Sequence, residues 1–196
     1  MSRDDKNLEF PWGTGPRPSP LGESEDEVME ATTYTFRDDP EAVAFWLEDF
    51  LETHPASVRI RLQLGSIYAD GWGHGIAGAE RVFRDALALD PDNVTVMVRL
   101  ALLQGHPHSS LTVKETLSLL ERAAALSGDP YVLRNYANKA WETGQRDRAV
   151  AAFERLKATA TDSSARFFTQ VAEQSLEAIR RGEKPATPAY WYPDIT

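Results

Sequence analysis

Residues 58–91, VRIRLQLGSIYADGWGHGIAGAERVFRDALALDP, decide the fold. A glycine-rich stretch separates two amphipathic segments, whose apolar residues recur every three or four positions, as in helices with one buried face. Gly65 on the first segment and Ala79 on the second are small enough to let two helices cross closely. Tyr68 and Phe83 are large enough to fill the space beside that crossing. The stretch therefore predicts an antiparallel helical hairpin.

The order of these residues resembles the tetratricopeptide repeat, a family of helical hairpins about 34 residues long. In the family, Leu-Gly and a later Tyr lie on the first helix, and Ala, a later Phe and a closing Pro belong to the second. The matching residues here are Leu64, Gly65, Tyr68, Ala79, Phe83 and Pro91. A second unit at 130–161 keeps Ala149 and Phe153, and the unit at 92–128 is degenerate.

The resemblance covers residues 40–182 and implies an all-α fold. It implies a right-handed α-solenoid of about three hairpins, with a leading helix before them and a C-terminal capping helix after them.

Residues that start and stop helices divide the chain into eight predicted helices. They lie near 40–53, 56–70, 76–89, 92–104, 112–126, 130–143, 146–159 and 163–181. We expect an extended or disordered Pro-rich and acidic arm at 1–38, a repeat domain at 39–182 that folds without either tail, and an extended aromatic tail at 183–196. The turns at 71–78 and 105–110 are longer than the family's, which indicates features particular to this chain.

Composition argues against several functional classes. The 196 residues include 30 acidic and 21 basic side chains, and the formal charge of −9 disfavours nucleic acid as a partner. The chain has no cysteine, so thiolate metal sites and cysteine nucleophiles are impossible. No stretch approaches the roughly 18 apolar residues that a membrane-spanning helix needs. We therefore expect a cytoplasmic protein without membrane insertion.

Candidate catalytic and ligand-binding motifs are weak. Gly73-His-Gly75-Ile-Ala-Gly78 has the glycine spacing of a dinucleotide-binding loop, but such a loop follows a strand. A helical segment precedes it here, which favours a widened hairpin turn. His106 and His108 share a loop, although a transition-metal site usually needs three or four ligands. The sequence predicts no enzyme activity, no cofactor and no metal site.

Function is expected on the concave surface of the solenoid, lined by the first helix of each hairpin. By resemblance to the family, this surface would contain Arg59, Leu62, Ser66, Arg99, Leu102, Arg134, Asn138, Trp141, Arg166 and Gln170. Arginine recurs on four successive first helices, and Arg134 with Asn138 resembles part of the clamp that holds a peptide's terminal carboxylate in some family members. A competing interpretation is that these arginines are ordinary exposed or ion-paired residues.

Two functions are compatible with this surface. The resemblance implies a scaffold, adaptor or assembly factor that binds an extended, acidic or C-terminal segment of a partner protein. The alternative is an accessory subunit that its two tails hold permanently inside a larger complex.

Both tails contain aromatic side chains that are poorly suited to water. They are Phe10, Trp12, Tyr190, Trp191 and Tyr192. Pro188 and Pro193 bracket the C-terminal trio and favour an extended chain. We expect the C-terminal tail to dock on the chain's own groove or on a partner, with Trp191 as its main contact.

Overall fold

The computed structural model describes residues 24–35, 39–159 and 165–185. Within these ranges the chain forms nine α-helices and no strand, which confirms the predicted all-α class. The helices are α1 (Glu25–Thr35), α2 (Pro40–Thr53), α3 (Val58–Ala69), α4 (Gly75–Leu89), α5 (Val94–Leu102), α6 (Val113–Leu126), α7 (Pro130–Glu142), α8 (Arg146–Thr159) and α9 (Ala165–Arg180). None of these helices is both long enough and apolar enough to cross a membrane.

Short polar side chains start several helices. Asp39, Asn93 and Asp129 accept hydrogen bonds from backbone N–H groups of the first helical turn, at 2.7–3.2 Å. These bonds satisfy donors that have no partner inside the helix. Pro40 and Pro130 begin their helices, a position where a missing N–H costs nothing.

The odd-numbered helices lie side by side and form one face of the molecule, here called the first-helix face. Asp26 of α1 pairs with Arg59 of α3. Lys139 of α7 donates to Gln104, just beyond α5, at 3.0 Å. The ring of Tyr131 on α7 contacts that of Phe168 on α9, with centroids 4.7 Å apart. These contacts join positions about one repeat apart, as stacking of successive hairpins requires.

Even-numbered helices form a second row in the same way. Arg84 of α4 pairs with Glu115 of α6 at 2.5 Å. Arg148 of α8 pairs with Glu121 of α6 at 3.0 Å. Two parallel rows of helices, joined by short turns, are the arrangement of an α-solenoid.

The predicted extended arm at 1–38 is wrong for residues 25–35, which form α1. Ser24 and Glu27 bond reciprocally to each other's backbone N–H groups, at 3.1 and 3.4 Å, and so form a capping box. Val28 is only 2% exposed and packs into the core against α2 and its neighbours. The first helix therefore has a partner, and the described residues form four hairpins before the capping helix instead of about three.

Close packing at the α3–α4 crossing explains the small residues of the sequence pattern. A Cβ atom at Gly65 would overlap the ring of Phe83, which is itself fully buried. Ala79 is also fully buried, and Tyr68 is 1% exposed. The hairpin predicted for 58–91 is thus present, with the small and large residues in their expected roles.

Candidate functional site

A pocket of about 380 Å³ opens between α5 and α7 on the first-helix face. Its lining combines apolar side chains with amide and basic groups. The lining residues are Ala101, Leu102, Gln104, His106, Leu120, Asn135 and Lys139. Four of the seven lining residues are polar, so a ligand would meet both hydrogen-bonding and apolar groups there.

Two buried asparagines on α7 carry side-chain oxygens that lack a partner. Asn135 is 2% exposed and Asn138 is 4% exposed. Neither Oδ1 atom accepts a hydrogen bond from any residue that the structure describes. Buried acceptors are nearly always paired, so such atoms call for a donor from elsewhere. Asn135 lines the pocket, where an N–H or O–H group of a ligand would supply that donor.

Lys139 fixes the distance between the two helices that flank the pocket. Its Nζ atom donates to Gln104 Oε1 at 3.0 Å and to Glu142 Oε2 at 2.8 Å. Only 11% of its side chain is exposed. Lys139 therefore connects α7 to the segment that follows α5, at the edge of the pocket. Its positive charge is balanced by the carboxylate of Glu142.

The predicted arginine row is not a continuous exposed surface. Arg134 is 3% exposed, and its guanidinium lies 5.5 Å from the ring centre of Tyr131. Burial lowers the pKa of Arg134, because the charged form loses its hydration. Arg59 is half-exposed but already pairs with Asp26. Arg134 and Asn138 are both buried, and their expected role as part of a clamp for a terminal carboxylate stays a prediction.

The other predicted groove residues lie at varied depths. Arg166 and Gln170 on α9 are exposed. The remaining five are partly buried: Leu62, Ser66, Arg99, Leu102 and Trp141. Of all ten predicted positions, Leu102 alone lines the pocket between α5 and α7.

The sequence analysis missed the pocket residues on α7. The groove residues that it chose on this helix lie one position away from the residues that line the pocket. The prediction follows Arg134, Asn138 and Trp141, whereas the pocket contains Asn135 and Lys139. One position rotates a side chain by roughly 100° about a helix with 3.6 residues per turn. The sequence carries no signal that favours Asn135 and Lys139, since Arg134 and Asn138 on the same helix are also polar residues one turn apart.

The glycine-rich turn between α3 and α4 has a structural origin. Gly71, Gly73 and Gly75 have φ values of +96°, +57° and +57°, which L side chains rarely adopt. A Cβ atom at Gly73 would lie 2.6 Å from the ring of Tyr68. The turn thus folds tightly onto Tyr68, as a widened hairpin turn rather than a loop after a strand.

The longer turn between α5 and α6 is fixed from the other row of helices. Glu80 of α4 is 6% exposed and accepts from Ser110 N at 2.7 Å, Ser109 Oγ at 3.1 Å and Arg84 Nε at 3.1 Å. The hydroxyl of Ser110 also donates to this carboxylate. Burial alone would raise the pKa of Glu80, but the hydrogen bonds from Ser110, Arg84 and Ser109 lower it below its ordinary value.

Metal-ligating side chains do not gather in the described ranges. His106 and His108 are exposed on the same turn, and no group of three His, Cys, Asp or Glu residues lies close enough there to hold an ion. The predicted tail contacts lie outside the described residues. They are Phe10, Trp12, Tyr190, Trp191 and Tyr192.

Comparison with known proteins supports the fold. No family model matches the chain, and no curated protein matches it in sequence. Two solved structures of MamA are similar in fold. One, a MamA RS-1 ArsTM double mutant, has a TM-score of 0.61 and 17% identity, covering 82% of this chain and 86% of that one. The other, a crystal structure of MamA protein, has a TM-score of 0.56 and 16% identity, covering 82% and 96%.

Proposed function

We propose that this chain is a protein-interaction module that holds an extended segment of a partner protein on its first-helix face. The fold is a helical-repeat scaffold, and its stacked first helices offer a long surface made of side chains from several hairpins. The contact centre is the pocket between α5 and α7.

The unpaired oxygen of Asn135 carries this proposal. Asn135 lines the pocket together with Ala101, Leu102 and Leu120, and its Oδ1 atom accepts no hydrogen bond from any described residue. An extended peptide presents a backbone N–H at every residue except proline, and none of these groups is used in a helix. A peptide main chain thus supplies the missing donor, and the apolar pocket receives one of its side chains.

The chemistry of the partner follows from the surrounding charge. Arg166 is exposed on α9, and Arg99 is partly buried on α5, next to the pocket residue Leu102. An acidic partner segment would meet the exposed Arg166. Arg59 and Arg134 would contribute little, because one is paired and the other is buried. We therefore propose a mildly acidic partner, recognised mainly through its backbone and one apolar side chain.

Selection from a library of random-sequence peptides tests this function. Asn135→Leu should weaken binding of the selected peptides by about tenfold, the typical value of one hydrogen bond to a buried group. The variant should still fold, because an apolar side chain of similar size replaces a buried oxygen that has no partner among the described residues.

Gln170→Leu is the matched control. It makes the same amide-to-leucine change at an exposed position of the first-helix face. Binding should survive in this variant. If Gln170→Leu weakens binding and Asn135→Leu does not, the pocket is not the contact centre. If the wild-type chain selects no peptide, the proposed function is wrong.

A further inference from the structure

The carboxylate of Glu80 bonds to the far side of a turn that also lines the pocket. Glu80 lies on α4, in the second row of helices, and its side chain is 7% exposed. Its oxygens accept from the backbone of Ser110 and from the hydroxyls of Ser109 and Ser110. Arg84, one helical turn later, supplies the balancing charge at 3.0 Å. A buried carboxylate with this many donors is strongly held in place.

The same turn supplies one wall of the pocket. Gln104 and His106 lie at its beginning and line the pocket, and only two residues separate His106 from Ser109. Backbone bonds make the turn compact: His106 N donates to Leu103 O, and Ser109 N donates to His106 O, both at 3.2 Å. A displacement of Ser109 would therefore be transmitted to His106.

The backbone conformation of His108 indicates that contacts with other elements stabilise this turn. His108 has a φ of +70°, which a residue other than glycine adopts only at an energetic cost. The bonds from Ser109 and Ser110 to Glu80 directly follow this residue. They therefore hold the backbone immediately after His108 against α4.

We infer that Glu80 is a positioning residue for the candidate binding pocket. It sets the place of His106 and Gln104, and through them the width of the pocket and the choice of side chain that enters it. This inference rests on the proposed function, since it assigns Glu80 a part in selecting the ligand of that pocket. It also connects the second row of helices to a surface formed by the first row.

Glu80→Gln is the informative variant. The amide keeps the size of the side chain and one acceptor oxygen, but its NH2 group cannot accept from Ser110 N–H. We expect hydrogen exchange of the Ser110 amide, followed by NMR, to accelerate by roughly tenfold, as expected for losing a bond to a charged acceptor. Glu80→Asp keeps the charge and should restore most of the protection. Asp85→Asn, an exposed carboxylate on the same helix, should change nothing.

Binding measurements show whether the role extends beyond local folding. Peptides selected by the wild-type chain are measured against Glu80→Gln, Glu80→Asp and Asp85→Asn. The inference predicts that Glu80→Gln changes the ranking of peptides that differ in the pocket side chain, while Glu80→Asp retains the wild-type ranking.

Two results would overturn the inference while leaving the proposed function intact. One is unchanged exchange of the Ser110 amide in Glu80→Gln. The other is faster exchange together with an unaltered ranking of peptides, which would make Glu80 a folding residue only. If the wild-type chain binds no peptide, the proposed function fails first, and the selective role of Glu80 fails with it.

Discussion

The small residue at the α3–α4 crossing is under steric constraint. Since a Cβ at Gly65 would overlap Phe83, even Gly65→Ala should lower the free energy of unfolding, by about 1–3 kcal/mol as in other overpacked cores. Gly128→Ala is the control, because nothing lies within 4 Å of a Cβ there. Urea unfolding of both variants measures the difference. Equal stability of the two would mean that the crossing is looser than the structure shows.

Glu80 predicts a pH dependence of stability. Its pKa is lower in the folded than in the unfolded chain, so its bonds stabilise the fold fully above the unfolded-state pKa. This contribution is lost as the pH falls through the folded-state pKa. Glu80→Gln should therefore be less stable than wild type at neutral pH, and the difference should shrink in acid. Urea unfolding at several pH values checks this, and a constant difference would contradict it.

The sequence predicted the roles of the residues packed in the core, but it did not predict which polar side chains are exposed. Gly65, Ala79 and Phe83 could be placed because their sizes follow a repeated pattern with a clear steric reason. Arg134 looked like a surface charge, yet it is buried beside Tyr131. Side-chain volume is readable along a helix, but the burial of a polar residue depends on which neighbouring helix covers it.

The first helix is the element that sequence patterning missed. Its single deeply buried valine, Val28, gives almost no apolar periodicity, and its acidic start resembles a disordered segment. The local signal that could have identified it is Ser24-x-x-Glu27, a capping box. Most of the other helices were readable because an apolar stripe follows a capping residue, as in α2, α3, α5, α6 and α7.

Removal of α1 should weaken the fold without abolishing it. A chain beginning at Asp39 loses the burial of Val28 against the core, which is worth about 1.5–3 kcal/mol for such a side chain. We expect it to remain folded with a lower free energy of unfolding than a chain beginning at Ser24. Val28→Ala in the longer chain should give a smaller loss of the same sign. Identical stability of the two chains would show that α1 does not belong to the repeat array.

At the scale of the whole molecule, the repeat pattern made the architecture predictable. One specific unit at 58–91 and two weaker ones were enough to imply stacking, since a single hairpin cannot bury its apolar faces alone. The position of the binding pocket was not predictable in the same way. It depends on the long turn after α5, which supplies Gln104 and His106, and on Lys139, which bridges neighbouring repeats.

The aromatic tail remains a prediction, and the fold makes its docking feasible. Arg146 donates to the carbonyl of Ile179 at 2.9 Å, so α9 ends beside the turn that follows α7. Pro185 is still buried there. Residues 186–196 span at most about 36–40 Å when extended. Two helix spacings of about 10 Å each separate α9 from α5, so the tail is long enough to reach the pocket.

If the tail docks on the chain's own groove, truncation after Pro185 should raise the affinity for selected peptides, because the tail no longer competes with them. Titration of full-length and truncated chains measures the change. A Trp191→Phe variant isolates the emission of Trp191 by difference. Solvent-like emission from Trp191 would contradict docking, and a loss of affinity on truncation would indicate that the tail contacts the partner instead.

The contacts that join each hairpin to the next also determine how the molecule bears tension. The main contacts between helices are between elements adjacent in the chain, from α1 and α2 to α8 and α9. A force on the two ends therefore acts on all of these interfaces in series, and the weakest interface separates first. The structure would lengthen in steps of one hairpin. A partner bound to both α5 and α7 would hold their two hairpins together and resist the separation of those hairpins.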